Sequence, residues 1–214
     1  MRDEEQPLAV ELLNTLGDER YGEPGSAADE RGLRAWLAGV GDRELGAADT
    51  ALFRSVPADG EELDLAGLWR LRDALRAVAA RVAGATPTVA AAPDLDADEA
   101  LGVLNEVAGG ARWWFELGWP DGGRGGATEA PDGGAHSGGI LVRRCSATGS
   151  AALLGRLAED GAHVFSGELL ACVAPAFWRY FVRSDPRRQW CSTLCGNRAR
   201  VARHYARHQA ARAG

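Results

Sequence analysis

At 214 residues the chain can make one large domain, or a main domain with a small appendage, and a hydrophobic share of 46% is ordinary for a protein with a real core. No apolar run approaches the roughly 18 residues needed to cross a bilayer, so no membrane partner is expected. The net charge of −6 is unevenly spread: residues 171–214 hold nine arginines against one acid, Asp185 (net +8), while residues 1–170 hold fifteen arginines against 29 acids (net −14). An acidic body with a basic tail points to a polyanion partner for the tail, or to docking of the tail on its own body.

The start, Met1-Arg-Asp-Glu-Glu-Gln6, is acidic and has no apolar segment of signal-peptide kind, so a cytoplasmic location is expected. Leu8-Ala-Val-Glu-Leu-Leu-Asn-Thr15 reads as a short apolar helix or strand closed by Asn14 and Thr15. Residues 27–40 place Leu33, Trp36, Leu37 and Val40 at i, i+3, i+4 and i+7, a helix with one buried face. Residues 63–82 give the clearest helix, with Leu65, Leu68, Leu71, Leu75, Val78 and Val82 on one stripe and Arg70, Arg72 and Arg76 off it. Asp94 or Asp96 can cap a further helix running to about Gly109 through Leu101, Leu104 and Val107.

The period then changes. Arg112-Trp-Trp-Phe-Glu-Leu-Gly-Trp119 reads as a strand, residues 120–139 as a flexible Gly/Asp/Pro loop, and Ile140-Leu-Val-Arg-Arg-Cys145 as the returning strand. A helix-like segment at about 150–160 precedes a compact cysteine module opened by Cys172. The expected fold is mainly α with a small antiparallel sheet (α+β): a helical and hairpin body over 1–165 and a small module over 166–214.

Cys145, Cys172, Cys191 and Cys195 in a cytosolic chain are better read as metal ligands or buried thiols than as disulfides. Cys172 lies nineteen positions before Cys191, so three thiols can meet beside what reads as a tight-turn glycine, Gly196. After it Arg200, Arg203 and Arg207 fall on one helical face, with His204 beside them, and Asn197 and Arg198 at the helix start. Such a face can contact phosphates, and Asn197 or Arg198 can reach a base edge. The alternative is a solvated face, or one paired with the acids of the body.

Cys195-Gly-Asn-Arg198 is the signature of the CGNR zinc-finger family, which the chain resembles over nearly its whole length. Leu8 to Thr15 resembles the family's opening motif, an apolar run closing on Asn-Thr, and the later helices and strand pair fall in the order of its ABATE domain, a stress-responsive regulator module. The resemblance implies a zinc ion held by cysteines and a bacterial-type transcription regulator that binds duplex DNA. Cys172 fits the first ligand and Cys191 and Cys195 the last pair. The chain departs from the pattern in three places: Phe177 stands where the second cysteine belongs, the last pair is spaced Cys-x3-Cys rather than Cys-x4-Cys, and the segment between Phe181 and Cys191 is about two residues shorter.

Three thiols leave a zinc site one ligand short. Cys145, His163, His204 or water can supply the fourth, with Cys145 favoured as a soft donor. Otherwise zinc binding is lost and Phe177, Trp178, Tyr180, Phe181 and Trp190 fill the module as an aromatic core around buried thiols. Trp113, Trp114 and Trp119 can wall a small-molecule pocket or simply pack. The reading is therefore a DNA-binding regulator with a ligand- or stress-sensing body, for which a homodimer is one arrangement. The alternative is a scaffold repurposed to bind or transform a small molecule in specialised metabolism. The pattern favours a non-enzyme without deciding it.

Overall fold

Helix α1, Leu8–Leu13, is only six residues long, yet every residue but Glu11 is buried. A helix so short does not stand alone in water, so it is tertiary burial that holds it. The computed structural model describes residues 6–15, 29–43, 47–54, 63–84, 95–118, 128–129, 135–136, 140–172, 174 and 179–213. Among them the chain is mostly helical, with three two-stranded antiparallel pairs.

Helix α2 (Glu30–Gly41) starts where Asp29 accepts a hydrogen bond from the Gly32 N–H, and it buries Leu33, Leu37 and Val40. It packs on α3 (Ala47–Arg54), a helix that no apolar period in the sequence marks. Helix α4 (Leu65–Val82) is the centre of the body, touching α1, α5 (Ala97–Gly110) and α6 (Gly149–Phe165). Asp64 caps α4, and Asp96 with Glu99 makes a full capping box on α5. Asp96, rather than Asp94, is therefore the cap. Strands β1 (Trp113–Gly118) and β4 (Ile140–Cys145) pair from Trp113 opposite Cys145 to Gly118 opposite Ile140. The expected loop at 120–139 lies outside the described residues except for β2 (Thr128–Glu129) and β3 (Ala135–His136), which pair with each other.

Two arginines depart from the expected pattern. Arg72 and Arg76 lie off the apolar stripe of α4, yet Arg76 is 2% exposed and Arg72 is also buried. The reason is that α4 is covered on more than one side, so its second face is interior as well. Arg76 donates to the Leu13 carbonyl at 2.7 Å and stacks over the Tyr180 ring at 5.9 Å. Burial holds its pKa down to about 10, opposed by the charge field of Tyr180.

Strands β5 (Leu169–Ala171) and β6 (Tyr180–Val182) form a hairpin that faces two cores. Leu169 and Tyr180 belong to the large core of the body. Phe181 belongs to a small second core with Cys172, Ala174 and Cys195, against which Leu170, Trp190 and Cys191 pack. The period of two along a strand makes this division: neighbours Tyr180 and Phe181 point to opposite sides. Helix α7, Thr193–Ala213, follows.

Candidate metal centre and basic helix

Three local structures deliver the thiols. Cys172 follows β5 directly, and its N–H continues the hairpin by donating to the Arg179 carbonyl at 2.8 Å. Cys191 sits on a loop gathered by Arg188, which donates to the carbonyls of Trp190 (3.2 Å) and Cys191 (2.6 Å) and lies 5.2 Å above the Phe181 ring. Cys195 lies in the first turn of α7, its N–H donating to the Ser192 hydroxyl at 3.2 Å. Ser192 is thus an N-cap, and it starts the helix before Gly196.

Gly196 is consequently no turn glycine. It lies inside α7 with no positive φ, and a Cβ there would meet the Trp190 ring at 3.3 Å. Its service is to let that ring close over the start of the helix.

The Sγ atoms of Cys172, Cys191 and Cys195 all lie within 4.8 Å of one another, and those of Cys191 and Cys195 are 3.3 Å apart. Thiolates about 2.3 Å from one tetrahedral zinc ion stand roughly 3.8 Å apart, so the three donors fit a single ion. Cys172 and Cys195 are buried and Cys191 is half-buried. Hydrogen bonds from the Cys191 thiol, then from the backbone N–H groups of Cys191 and Ala174 and from the Cys195 thiol, pull the Cys172 pKa down against burial. The same bond to Cys172, with burial, pushes Cys191 up. Hydrogen bonding within the trio thus favours the thiolate form that a metal ligand requires.

No fourth Cys, His, Asp or Glu joins this group among the described residues. Cys145, the favoured fourth donor, stands opposite Trp113 at the end of β4, where its Sγ accepts from the Ala147 N–H at 3.5 Å. His163 lies in the last turn of α6, and His204 is paired with His208 further along α7. Phe177 and Trp178 lie outside the described residues.

Beyond Ala202, residues 203–209 of α7 are exposed all round. Arg200, Arg203 and Arg207 share one side of it, at steps of three and four. Asn197 accepts from Arg200, and Arg203 donates to the Ala199 carbonyl at 3.2 Å while lying 6.0 Å over the Trp190 ring. Arg198 is about 200° around the axis from Arg200, so the helix puts it on the far side.

A cleft of about 350 Å³ opens in the body between β1 and α6, lined by Trp113, Trp114, Phe115, Arg156, Glu159, Asp160 and His163. Two of the three expected tryptophans are there; Trp119 lies outside the described residues. Arg156 is clamped to the Asp49 carboxylate of α3 at 3.0 Å and reaches Asp160 at 3.5 Å. Burial works against its charge, and these carboxylates more than offset it, leaving its pKa raised. No sequence signal joins Arg156, Glu159 and Asp160 to the tryptophans, because their meeting depends on how α6 packs.

Residues 6–168 match the model of the ABATE family, described as "Putative stress-induced transcription regulator", and residues 169–208 match the CGNR zinc finger. The chain belongs to this family. Among curated proteins none matches it. The finger's three gathered thiols, together with the family, fit zinc binding, and Cys172, Cys191 and Cys195 are the residues that would hold the ion. An ion held by these three thiols would supply no redox chemistry and would join the β5–β6 hairpin, the Arg188 loop and the start of α7. No helix among the described residues is long and apolar enough to cross a membrane.

Proposed function

We propose that this chain is a DNA-binding transcription regulator, in which zinc on Cys172, Cys191 and Cys195 fixes the start of α7 and α7 is laid on duplex DNA. The observation that carries this reading is a helix that leaves the thiol cluster exposed, with Arg200, Arg203 and Arg207 along one side. A single helix fits the major groove, and guanidinium groups pair with phosphate in the forked geometry that arginine favours. Asn197, by its bond to Arg200, positions that guanidinium. The body, at −14 over residues 1–170, is repelled by the duplex, which leaves the tail as the contacting part. One helix makes few contacts, and a homodimer would double them.

Fluorescence anisotropy with labelled duplex DNA across a salt series tests this. The logarithm of the binding constant should fall linearly with the logarithm of salt concentration, and the double variant Arg200→Ala/Arg207→Ala should lower that slope by about 2. A double variant that binds like the parent would overturn the assignment of α7.

The cleft at Trp113 and Trp114 favours a second reading, in which the body takes a small molecule, either as an effector of the regulator or as the only ligand of a repurposed scaffold. Tryptophan fluorescence and thermal melts that stay flat across a broad metabolite panel would remove its support.

A further inference from the structure

The search for chemistry outside the thiol cluster leads to the exposed part of α7. His204 and His208 are four residues apart, so helix geometry sets one imidazole above the other. Their Nε2 atoms are 3.1 Å apart, and the ring centroids 4.4 Å apart with planes tilted by 56°. Two nitrogens each about 2.0–2.1 Å from a metal ion stand roughly 2.9 Å apart at a right angle and roughly 3.4 Å apart at the tetrahedral angle. The observed separation falls between these values, so an ion that displaces the proton the two nitrogens share in their hydrogen bond can be held by both. The spacing is the one by which paired histidines on a helix hold zinc in metalloprotease motifs.

We propose that His204 and His208 form a second metal site, on the surface of α7, for a borderline divalent ion such as zinc, nickel or copper. It is distinct from the thiol centre: His204 lies nine residues beyond Cys195, about 13.5 Å along the helix axis, too far for one ion to serve both. Both histidines are exposed, so the remaining coordination positions open to water or to an oxygen donor from a partner. Arg203 and Arg207 flank the pair on the same helix and oppose a dication. With two neutral ligands and no thiolate, this site fills after the cysteines.

Two consequences follow for the helix. A metal bridging i and i+4 clamps one turn of a segment, residues 203–209, that buries none of its side chains. It also adds positive charge beside the Arg200, Arg203 and Arg207 row.

The test is titration of nickel(II) into the full-length protein whose thiol site has first been loaded with one equivalent of zinc, followed by calorimetry and far-ultraviolet circular dichroism. One further equivalent should bind and raise the helix signal. His204→Ala and His208→Ala should each weaken that equivalent by at least about tenfold and abolish the gain in helix. Mass spectrometry should find the thiol-bound zinc unchanged in both variants, which are surface substitutions. Absence of a second equivalent would overturn the proposal, as would a second equivalent that both variants retain.

Discussion

Asn14 and Tyr180 exchange two hydrogen bonds across 166 positions of chain: the Asn14 Nδ2 donates to the Tyr180 carbonyl at 2.8 Å, and the Tyr180 N–H donates to the Asn14 Oδ1 at 2.9 Å. A side-chain amide here does what a neighbouring strand would do, meeting both backbone groups of one residue. The Val182 N–H does likewise with the Gln6 Oε1 at 2.8 Å, so the free side of β6 is held by the N-terminal segment. The first helix of the ABATE region is thereby joined to the hairpin that carries the CGNR finger.

Asn14→Ala should therefore lower the stability of the whole chain. It leaves a part-buried N–H and a carbonyl without their partner, a loss of about 1–3 kcal/mol. Urea unfolding followed by tryptophan fluorescence should show an earlier midpoint. A midpoint equal to the parent's would mean that water replaces the amide at no loss.

The metal centre makes a sharp prediction about which thiols matter. Protein purified without chelator should hold about one zinc per chain by mass spectrometry, the stoichiometry of a single site. Cys172→Ser, Cys191→Ser and Cys195→Ser should each lose most of it, while Cys145→Ser should keep it, because Cys145 is not in the trio. Loss of zinc in Cys145→Ser would place that thiol in the coordination sphere and require β4 to move.

Arg188 should tune the site without touching the ion. Its guanidinium holds the carbonyls of Trp190 and Cys191 and covers the Phe181 ring, so it fixes the loop that aims Cys191. Arg188→Met keeps the length and the apolar cover but gives up the hydrogen bonds to both carbonyls, and with them the longer one to the Ser184 hydroxyl. Zinc affinity, measured by competition with a chromophoric chelator, should fall about 10- to 100-fold with all thiols intact. An affinity equal to the parent's would show that the hairpin and α7 alone position the thiols.

Much of this fold was legible where the signal is local. Helices α2, α4 and α5 show themselves by apolar period, α5 also by the acid Asp96 at its start, and β1 and β4 by their aromatic and β-branched runs, whereas the caps Asp29 and Asp64 emerge only in the structure. Helix α3 was not legible: its eight residues carry little pattern, and its anchor is the pair between Asp49 and Arg156, 107 positions away. Helix α6 runs to Phe165, past the expected end near 160, through Gly161, which looks like a breaker but packs closely on Leu75. At the finger, Cys191 and Cys195 were legible as a donor pair by their spacing of four, and Cys172, nineteen positions earlier, by its match to the first ligand of the family pattern. The fate of Cys145 was not, since it depends on where β4 lies. The histidine pair has a readable sign in its spacing of four, but nothing in the sequence fixes the two rings against each other.

Close packing of α6 gives a last prediction with a built-in control. At Gly155 an added Cβ would come within 2.2 Å of the Ala111 Cβ, an atom fixed to the backbone between α5 and β1 that cannot rotate away. Helix and strand must separate to admit it, so Gly155→Ala should cost about 1–3 kcal/mol despite alanine's better helix propensity. Gly102 on α5 has nothing within 4 Å of its added Cβ, and Gly102→Ala should stabilise by about 0.4–1 kcal/mol through the entropy of the unfolded chain. Opposite shifts in the urea midpoint are expected from the same chemical change. Because Arg156 follows Gly155 and faces the cleft with Trp113, the Gly155→Ala variant should also shift the tryptophan emission of the native state, whereas Gly102→Ala should leave it in place. If both variants stabilise, α6 and the α5–β1 junction are farther apart than this packing requires, and the floor of the cleft is looser with them.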